Sequence, residues 1–525
     1  MKLPEVTKRF TKDENQGLTD VEITEDLLLQ KIGRLKEGKA PGDDGFDARF
    51  LKEIANEIFK PLAMIFKASV EDGTVPEDWR MANVTPIFKK GSRQNPGNYR
   101  PISLTSQIGK ILESVIKDAV INHLKEHNLI NESQHGFTAK KSCLTNLLSF
   151  LEVVTDYVDQ GMPVDAIYLD FQKAFDKVPH NRLLQKVRAH GIGGNVAKWI
   201  ECWLSGRKQR VVLNGNKSQW SDVKSGVPQG SILGPLLFVI FINDIDDNMV
   251  NTLFKFADDT KLIGKVASAS DVKVLQDDLQ RLFSWSQDWQ MLFNTSKCGV
   301  IHFGHNNSNA EYLLGDSKVA VLEDERDLGV IIDKTLKSTK QCIKAYNAAN
   351  ATLGMIRRSF VNRESETIIR LYKSIVRPKL EYCIQAWRPY LRRDIDLLER
   401  IQHRATKLIC SLRNKPYEER LKIVGLTTLE TRRLRGDLIE VFKIFKGFED
   451  ISWEEFFVKS TTSHLRGHHL KLFKKRSKLD IRKHFFSQRI VDEWNKLPAE
   501  LITCETVVAF KKKIDSYLRL NRGLR

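Results

Sequence analysis

No run of 18 or more apolar residues occurs in this 525-residue chain. The longest apolar stretch, Ile232–Ile242, is broken by Gly234 and Pro235. That argues against a membrane-spanning helix. The opening residues, MKLPEVTKRFTKDENQ, place no apolar core behind their first charges, so they do not read as a secretory signal. Cysteine is sparse and scattered: the 7 thiols, at positions 143, 202, 298, 342, 383, 410 and 504, form no CxxC pair. A disulfide framework and a zinc module are thereby disfavoured, and reduced thiols in an intracellular setting, cytoplasm and nucleus, are the expectation. Internal repeats and low-complexity tracts are missing as well. What remains is 41% apolar and 29% charged, the composition of a globular chain long enough for two or three cored domains. A wholly disordered chain and a collagen-like fibre are excluded on the same grounds.

Charge is unevenly distributed. Lys and Arg number 84 against 66 Asp and Glu, a formal +18. Residues 331–525 hold 43 basic and 22 acidic side chains, whereas residues 1–330 hold 41 and 44. The whole surplus therefore lies in the last 195 residues. A basic half joined to a near-neutral half suggests a polyanion-binding appendage on a catalytic or structural body. The alternative is a solvated, Lys-rich helical surface.

Apolar spacing predicts helices over 18–40, capped by Thr19 or Asp20, and over 48–70, 103–127, 141–160 and 271–291. Short strands are expected at 81–90, 165–171 and 298–304. NGNKSQW (214–220) reads as a hairpin turn, and LFKFADDTKLIG (253–264) as a hairpin turning at ADD. LGPLLFVIFINDI becomes a helix after the GVPQGS turn. From about 335 onward, basic amphipathic helices dominate.

Acids at strand ends point to metal-assisted phosphoryl transfer. Two divalent ions about 3.5–4 Å apart activate an attacking hydroxyl and stabilise the leaving group, and carboxylates hold them. Asp170 ends an apolar strand, and Asp258 and Asp259 sit in a turn. Taken alone, an Asp pair in a turn is ordinary turn chemistry.

The company of these acids decides otherwise. FADD (256–259) resembles the catalytic motif of reverse transcriptases. Around it stand KAPGDDGF (39–46), PIFKKGSRQNPGNYRPISL (86–104), QHGF (134–137) and YLDFQKAFDKVPH (168–180). SGVPQGSILGPLLF (225–238), FNTSKCGVIHF (293–303), LGVIID (328–333) and YCIQAWRPY (382–390) complete the set. In this order the set resembles the reverse transcriptases of non-LTR, LINE-type retrotransposons, in the jockey-like and chicken-repeat branch.

The resemblance implies a right-hand polymerase of mixed α/β (α+β) class. It would comprise fingers, a palm with an antiparallel sheet, a helical thumb and a basic helical C-terminal extension. The boundaries expected are 1–69 for an N-terminal helical extension, 70–333 for fingers and palm, and 334–525 for thumb and nucleic-acid-binding region. It implies that Asp170, Asp258 and Asp259 bind two Mg²⁺ ions, with Mn²⁺ able to substitute, and that Asp259 orients more than it ligates. Lys89 and Arg100 would hold the incoming triphosphate, Arg as a bidentate fork and Lys as a point charge. Phe175 would be the steric gate against a ribose 2′-hydroxyl. Gln229 and Gly230 would lie along template and dNTP, and Lys297 would neutralise or protonate the leaving pyrophosphate. RNA template, DNA primer and dNTPs are the implied partners, without a membrane.

In the C-terminal half, Arg466, Lys471, Lys474, Lys475, Arg476 and Lys478 interleave with Phe473, Phe485 and Phe486. That pattern suits salt-dependent phosphate contacts and stacking on unpaired bases. A solvated helix with a core Phe stripe is the alternative. His464, His468 and His469 lack the cysteines of a zinc finger. Asp43 stands where relatives of this kind often show Pro, and neither an endonuclease nor an RNase H segment is evident. The expectation is the polymerase portion of a longer reading frame, with an endonuclease supplied elsewhere, or else a non-catalytic nucleic-acid-binding relic.

Overall fold

A computed structural model describes residues 4–12, 16–460 and 468–521. In chain order, the strands that position the site are β1 (Met81–Phe88), β2 (Tyr99–Leu104), β3 (Val164–Leu169), β4 (Lys208–Leu213), β5 (Thr252–Phe256), β6 (Asp259–Lys265), β7 (Gly299–Phe303), β8 (Ala320–Val321), β9 (Asp324–Asp327) and β10 (Val330–Asp333). The helices of interest are α1 (Glu25–Gly33), α2 (Ala48–Glu53), α3 (Ala55–Glu71), α4 (Gln107–Glu126), α5 (Cys143–Asp159), α6 (Gly234–Phe241), α7 (Ala269–Asp288), α8 (Thr339–Ser359), α9 (Arg392–Lys407), α10 (Leu429–Phe445) and α11 (Val507–Asn521).

A five-stranded sheet ordered β8-β7-β3-β6-β5 forms the centre. Its middle strand β3 runs antiparallel to both β6 and β7. All six residues of β3 are buried, which explains its largely apolar reading: both faces of the sheet are covered, and the acid within it, Asp165, is bonded to His302, Asn307 and Tyr312. Val164, Ala166 and Tyr168 pack with α5 and the helices after residue 338. Ile167 and Leu169 pack with α1, α3, α4 and α6. The two-residue period of a strand thus assigns alternate side chains to two separate cores. A second sheet pairs β2 with β1 antiparallel and β1 with β4 parallel. This is the mixed α/β architecture expected; the strands that carry the acids pair antiparallel, while β8 joins β7 in parallel and makes the sheet as a whole mixed.

Three sequence expectations need correction. The first helix spans only Glu25–Gly33, and Thr24, not Thr19 or Asp20, accepts the capping bond from the Leu27 amide. Residues before it are taken by tertiary pairing: Leu18 bridges Ile192, and its amide donates to the Gly191 carbonyl at 2.8 Å. The helix expected over 48–70 breaks at Ile54 into α2 and α3. Among the described residues of 464–485 there is no long helix; Leu472–Phe473 pairs with Val458–Lys459, and Asp480–Lys483 makes a single turn.

Candidate active site

The acids meet at one edge of the central sheet. β3 and β6 stay paired up to Leu169 opposite Thr260, and β5 and β6 close at Phe256 opposite Asp259. Asp170 and Asp259 therefore leave the sheet at the same edge, with Asp258 in the two-residue turn between β5 and β6. Ala257, in that turn, adopts φ +57°, a left-handed conformation that is costly for a residue with a Cβ. Gln134 sustains it: its Oε1 accepts from the Ala257 amide at 3.0 Å and from the Gly136 amide at 2.7 Å. Gly136 lies so close that a Cβ there would meet the Ala257 nitrogen at 2.3 Å. The QHGF block carries no assigned role on sequence grounds; folded, it is the rear support of the acidic turn.

The electrostatics are those of crowded acids. Burial pushes the Asp258 carboxyl above its ordinary value; Asp170 adds to the rise, while Lys89 and Arg100 oppose it. Burial and then the charges of Asp258, Asp327 and Asp170 push Asp259 up to about 6. Asp259 is nevertheless open to solvent on one side, which makes like-charge crowding the sounder of its two causes. Lys297 forms an ion pair with Asp170. A cleft of about 390 Å³ lies here, lined by Asp170, Asp259, Lys297, Lys261, Asp327 and Leu328 among others.

Three carboxylates with mutual repulsion are donors of the right type and charge for a hard divalent cation. Their convergence is incomplete, however. Among the described residues, no group of three or more His, Cys, Asp or Glu side chains is arranged to hold a metal ion, and Asp170 is drawn to Lys297 instead.

Lys89 and Arg100 share one face of the β1–β2 hairpin. Arg100 pairs with Ile87, and Lys89 follows two residues on, its amide bonded to the Asn98 carbonyl at 2.8 Å. Both are exposed, and both act electrostatically on Asp258. Phe175 stacks on Phe238 with ring centroids 4.6 Å apart and meets Phe137 edge-on at 6.0 Å. It lines a second cavity of about 550 Å³ with Ser103, Arg207, Arg210 and Gln229. The Gln229 carbonyl accepts from the Ser103 amide at 2.7 Å. Gly230, at φ +129°, approaches so closely that a Cβ would meet the Ser103 carbonyl oxygen at 2.3 Å.

Sequence reasoning also missed an ion pair beside the acids. Lys261, fully enclosed in β6, pairs with Asp327 in β9 and lies 4.3 Å from the Phe150 ring centroid of α5. A lysine two residues after an acidic turn carries no sequence signal that distinguishes it from a surface residue.

The C-terminal cations divide. Arg466 and His464 lie outside the described residues. Lys471 donates to the Asn495 carbonyl at 2.7 Å, and Lys474 pairs with Asp492. Lys475, Arg476 and Lys478 stand exposed. Phe485 and Phe486 are buried core residues, while Phe473 is exposed. The expectation of three stacking rings is thus corrected to one, because Phe485 and Phe486, at the start of the short helix Phe486–Arg489, pack inward. His468 is buried and bonded to the Trp494 carbonyl at 3.0 Å.

Residues 87–332 match the family described as reverse transcriptase (RNA-dependent DNA polymerase). Over these residues the chain is similar to reverse transcriptases. Relatives extend the likeness along the chain. The RNA-directed DNA polymerase from mobile element jockey of Drosophila funebris is 26% identical over 381 residues, covering 70% of this chain and 41% of the relative. The jockey polymerase of Drosophila melanogaster is 24% identical over 422 residues, 77% of this chain and 46% of the relative. The probable RNA-directed DNA polymerase from transposon X-element of the same species is 25% identical over 433 residues, 77% and 48%. The non-LTR affiliation read from the motifs is supported, and the chain spans less than half the length of these relatives. Reverse transcriptases generally use divalent metal ions, which agrees with the donor type at the sheet edge.

Proposed function

We propose that this chain copies RNA into DNA, adding dNTPs to a DNA 3′-hydroxyl on an RNA template. The observation that carries the proposal is the shared sheet edge of Asp170 and the Asp258–Asp259 turn inside the stretch similar to reverse transcriptases. Asp170, Asp258 and Asp259 would hold two divalent cations, Mg²⁺ with Mn²⁺ able to substitute. Bound there, the ions supply activation of the primer hydroxyl and charge neutralisation on the leaving pyrophosphate. Lys89 and Arg100 bind the triphosphate oxygens from the fingers hairpin. The Phe175 ring, locked by Phe238, excludes a 2′-hydroxyl. Gln229 and Gly230 bring backbone against nucleotide and template. Lys297 Nζ, beside Asp170, supplies a proton or charge to the leaving group. Lys475, Arg476 and Lys478, with Arg466, offer sequence-tolerant phosphate contacts. An endonuclease, on a further portion of the protein or another copy, would create the primer end, with action in cytoplasm and nucleus.

A second possibility is a nucleic-acid-binding relic without turnover, favoured by the incomplete convergence of the acids. Purified protein with a DNA primer annealed to RNA, dNTPs and Mg²⁺ separates the two. Extension abolished by chelation is expected; primer–template binding without any extension would favour the relic.

A further inference from the structure

The loop that carries Gln229 and Gly230 is anchored at three places. The Gly226 amide donates to the Val178 carbonyl at 2.8 Å, and the Val227 amide to the Phe175 carbonyl at 2.7 Å. In the middle, the Gln229 carbonyl accepts from Ser103. These two anchors are backbone to backbone. The third is a side chain from another element. Glu113 of α4, only 2% exposed, accepts from the Ile232 amide at 2.6 Å and the Leu233 amide at 3.2 Å through one carboxylate oxygen. Its other oxygen accepts from the Trp203 indole at 3.2 Å.

Two peptide N–H groups entering a buried helix could be satisfied by any neutral acceptor, and burying a carboxylate costs free energy. The charge has a counterpart. Arg207 acts electrostatically on Glu113; it is equally enclosed, donates to the Trp203 carbonyl at 3.1 Å and lies 4.8 Å from the Trp203 ring centroid. Its Nη2 is buried without a hydrogen-bond partner among the described residues. Arg207 also lines the cavity that holds Phe175 and Gln229. Glu113 therefore ties the end of the loop to the wall of the nucleotide cavity. α6, which begins directly after Leu233, has seven of its eight residues in the core and gives the loop no freedom at its far end.

We infer that Glu113 is a positioning residue for nucleotide selection: through the Ile232 and Leu233 amides it sets the Pro228–Gly230 loop at its height beside Phe175. The inference rests on the polymerase reading above. Glu113 touches no reacting atom, so its loss should act on the choice and affinity of nucleotide and not on the chemical step.

Glu113→Gln and Glu113→Ala test this, the first keeping an acceptor of the same reach so that a folded variant is assured a fair trial. Hydrogen exchange of the 226–233 segment should accelerate about tenfold in Glu113→Ala, as expected for loss of a charge-assisted bond. The KM for dNTP should rise by about tenfold, and discrimination against ribonucleotides should fall with it. Turnover at saturating dNTP and primer–template affinity should stay near wild type. Glu113→Gln should fall between the two. Unchanged exchange, or faster exchange with unchanged KM and discrimination, overturns the inference alone. Absence of incorporation by the wild-type protein sinks the polymerase reading, and this one with it.

Discussion

At the scale of single residues, buried acids are used in two ways. Asp437 is completely enclosed but compensated, with Arg388 and Arg489 both paired to it. Glu440, one helical turn further along α10, is compensated only in part, since Lys443, 3.3 Å from it, also pairs with Glu449. Burial pushes its carboxyl up to about 7; Lys443 opposes this, while Glu449 and Asp437 add to it. One of its oxygens has no hydrogen-bond partner among the described residues. A carboxyl whose folded-state pKa lies above its unfolded value binds its proton more tightly in the native state. Its contribution to stability is therefore intact at low pH and declines as pH rises from about 4.5 to about 7. At 1.36 kcal/mol per pKa unit, the full loss is about 3 kcal/mol. Glu440→Gln should match wild type in urea unfolding near pH 4.5 and exceed it by up to that amount at pH 8. Equal stability at both pH values would show that the carboxyl is not strained.

At the scale of elements, the acidic turn is held by neighbours that sequence alone could not reveal. Lys261 joins β6, the β9–β10 hairpin and α5 through Asp327 and Phe150. Removing one member of a buried ion pair leaves the other uncompensated, at about 3–5 kcal/mol. Lys261→Met should cost that much in denaturant unfolding, and adding Asp327→Leu should recover most of it. A single-variant cost below about 1 kcal/mol would place the pair at the surface in solution. The strands were legible because β3 is apolar but for Asp165 and because ADD interrupts an alternating run. The acids and the VPQG loop were legible as ordered motifs. The supports were not: Gln134, Glu113 and Lys261 are polar residues whose roles depend on burial by distant segments. Helix limits failed for the same reason, since the pairing of Leu18 with Ile192 overrides local spacing. At 468–485 a composition rich in Lys and Phe hid a chain that turns Phe485 inward, leaves Phe473 exposed and ties Lys471 and Lys474 to Asn495 and Asp492.

At the scale of the whole molecule, the basic half is less free than its +21 surplus implies. Arg432 is committed to Glu381, Arg435 to Asp515, and Arg482, enclosed, to Glu152 on α5. The helices after residue 338 share one core with a face of the central sheet, and of these three pairs Arg482–Glu152 joins the two halves of the chain while the other two lie within the basic half. What remains outward is available to a polyanion, while the acids at the sheet edge are crowded: Lys297 pairs with Asp170, and the like charges around Asp259 favour added positive charge. That claim is tested most directly by single-turnover addition of one dNTP opposite an RNA template at saturating Mg²⁺, comparing wild type with Asp258→Asn. The account predicts a rate lower by about 10³-fold or more in the variant, with primer–template affinity preserved. Incorporation at the wild-type rate by a folded Asp258→Asn protein would contradict it.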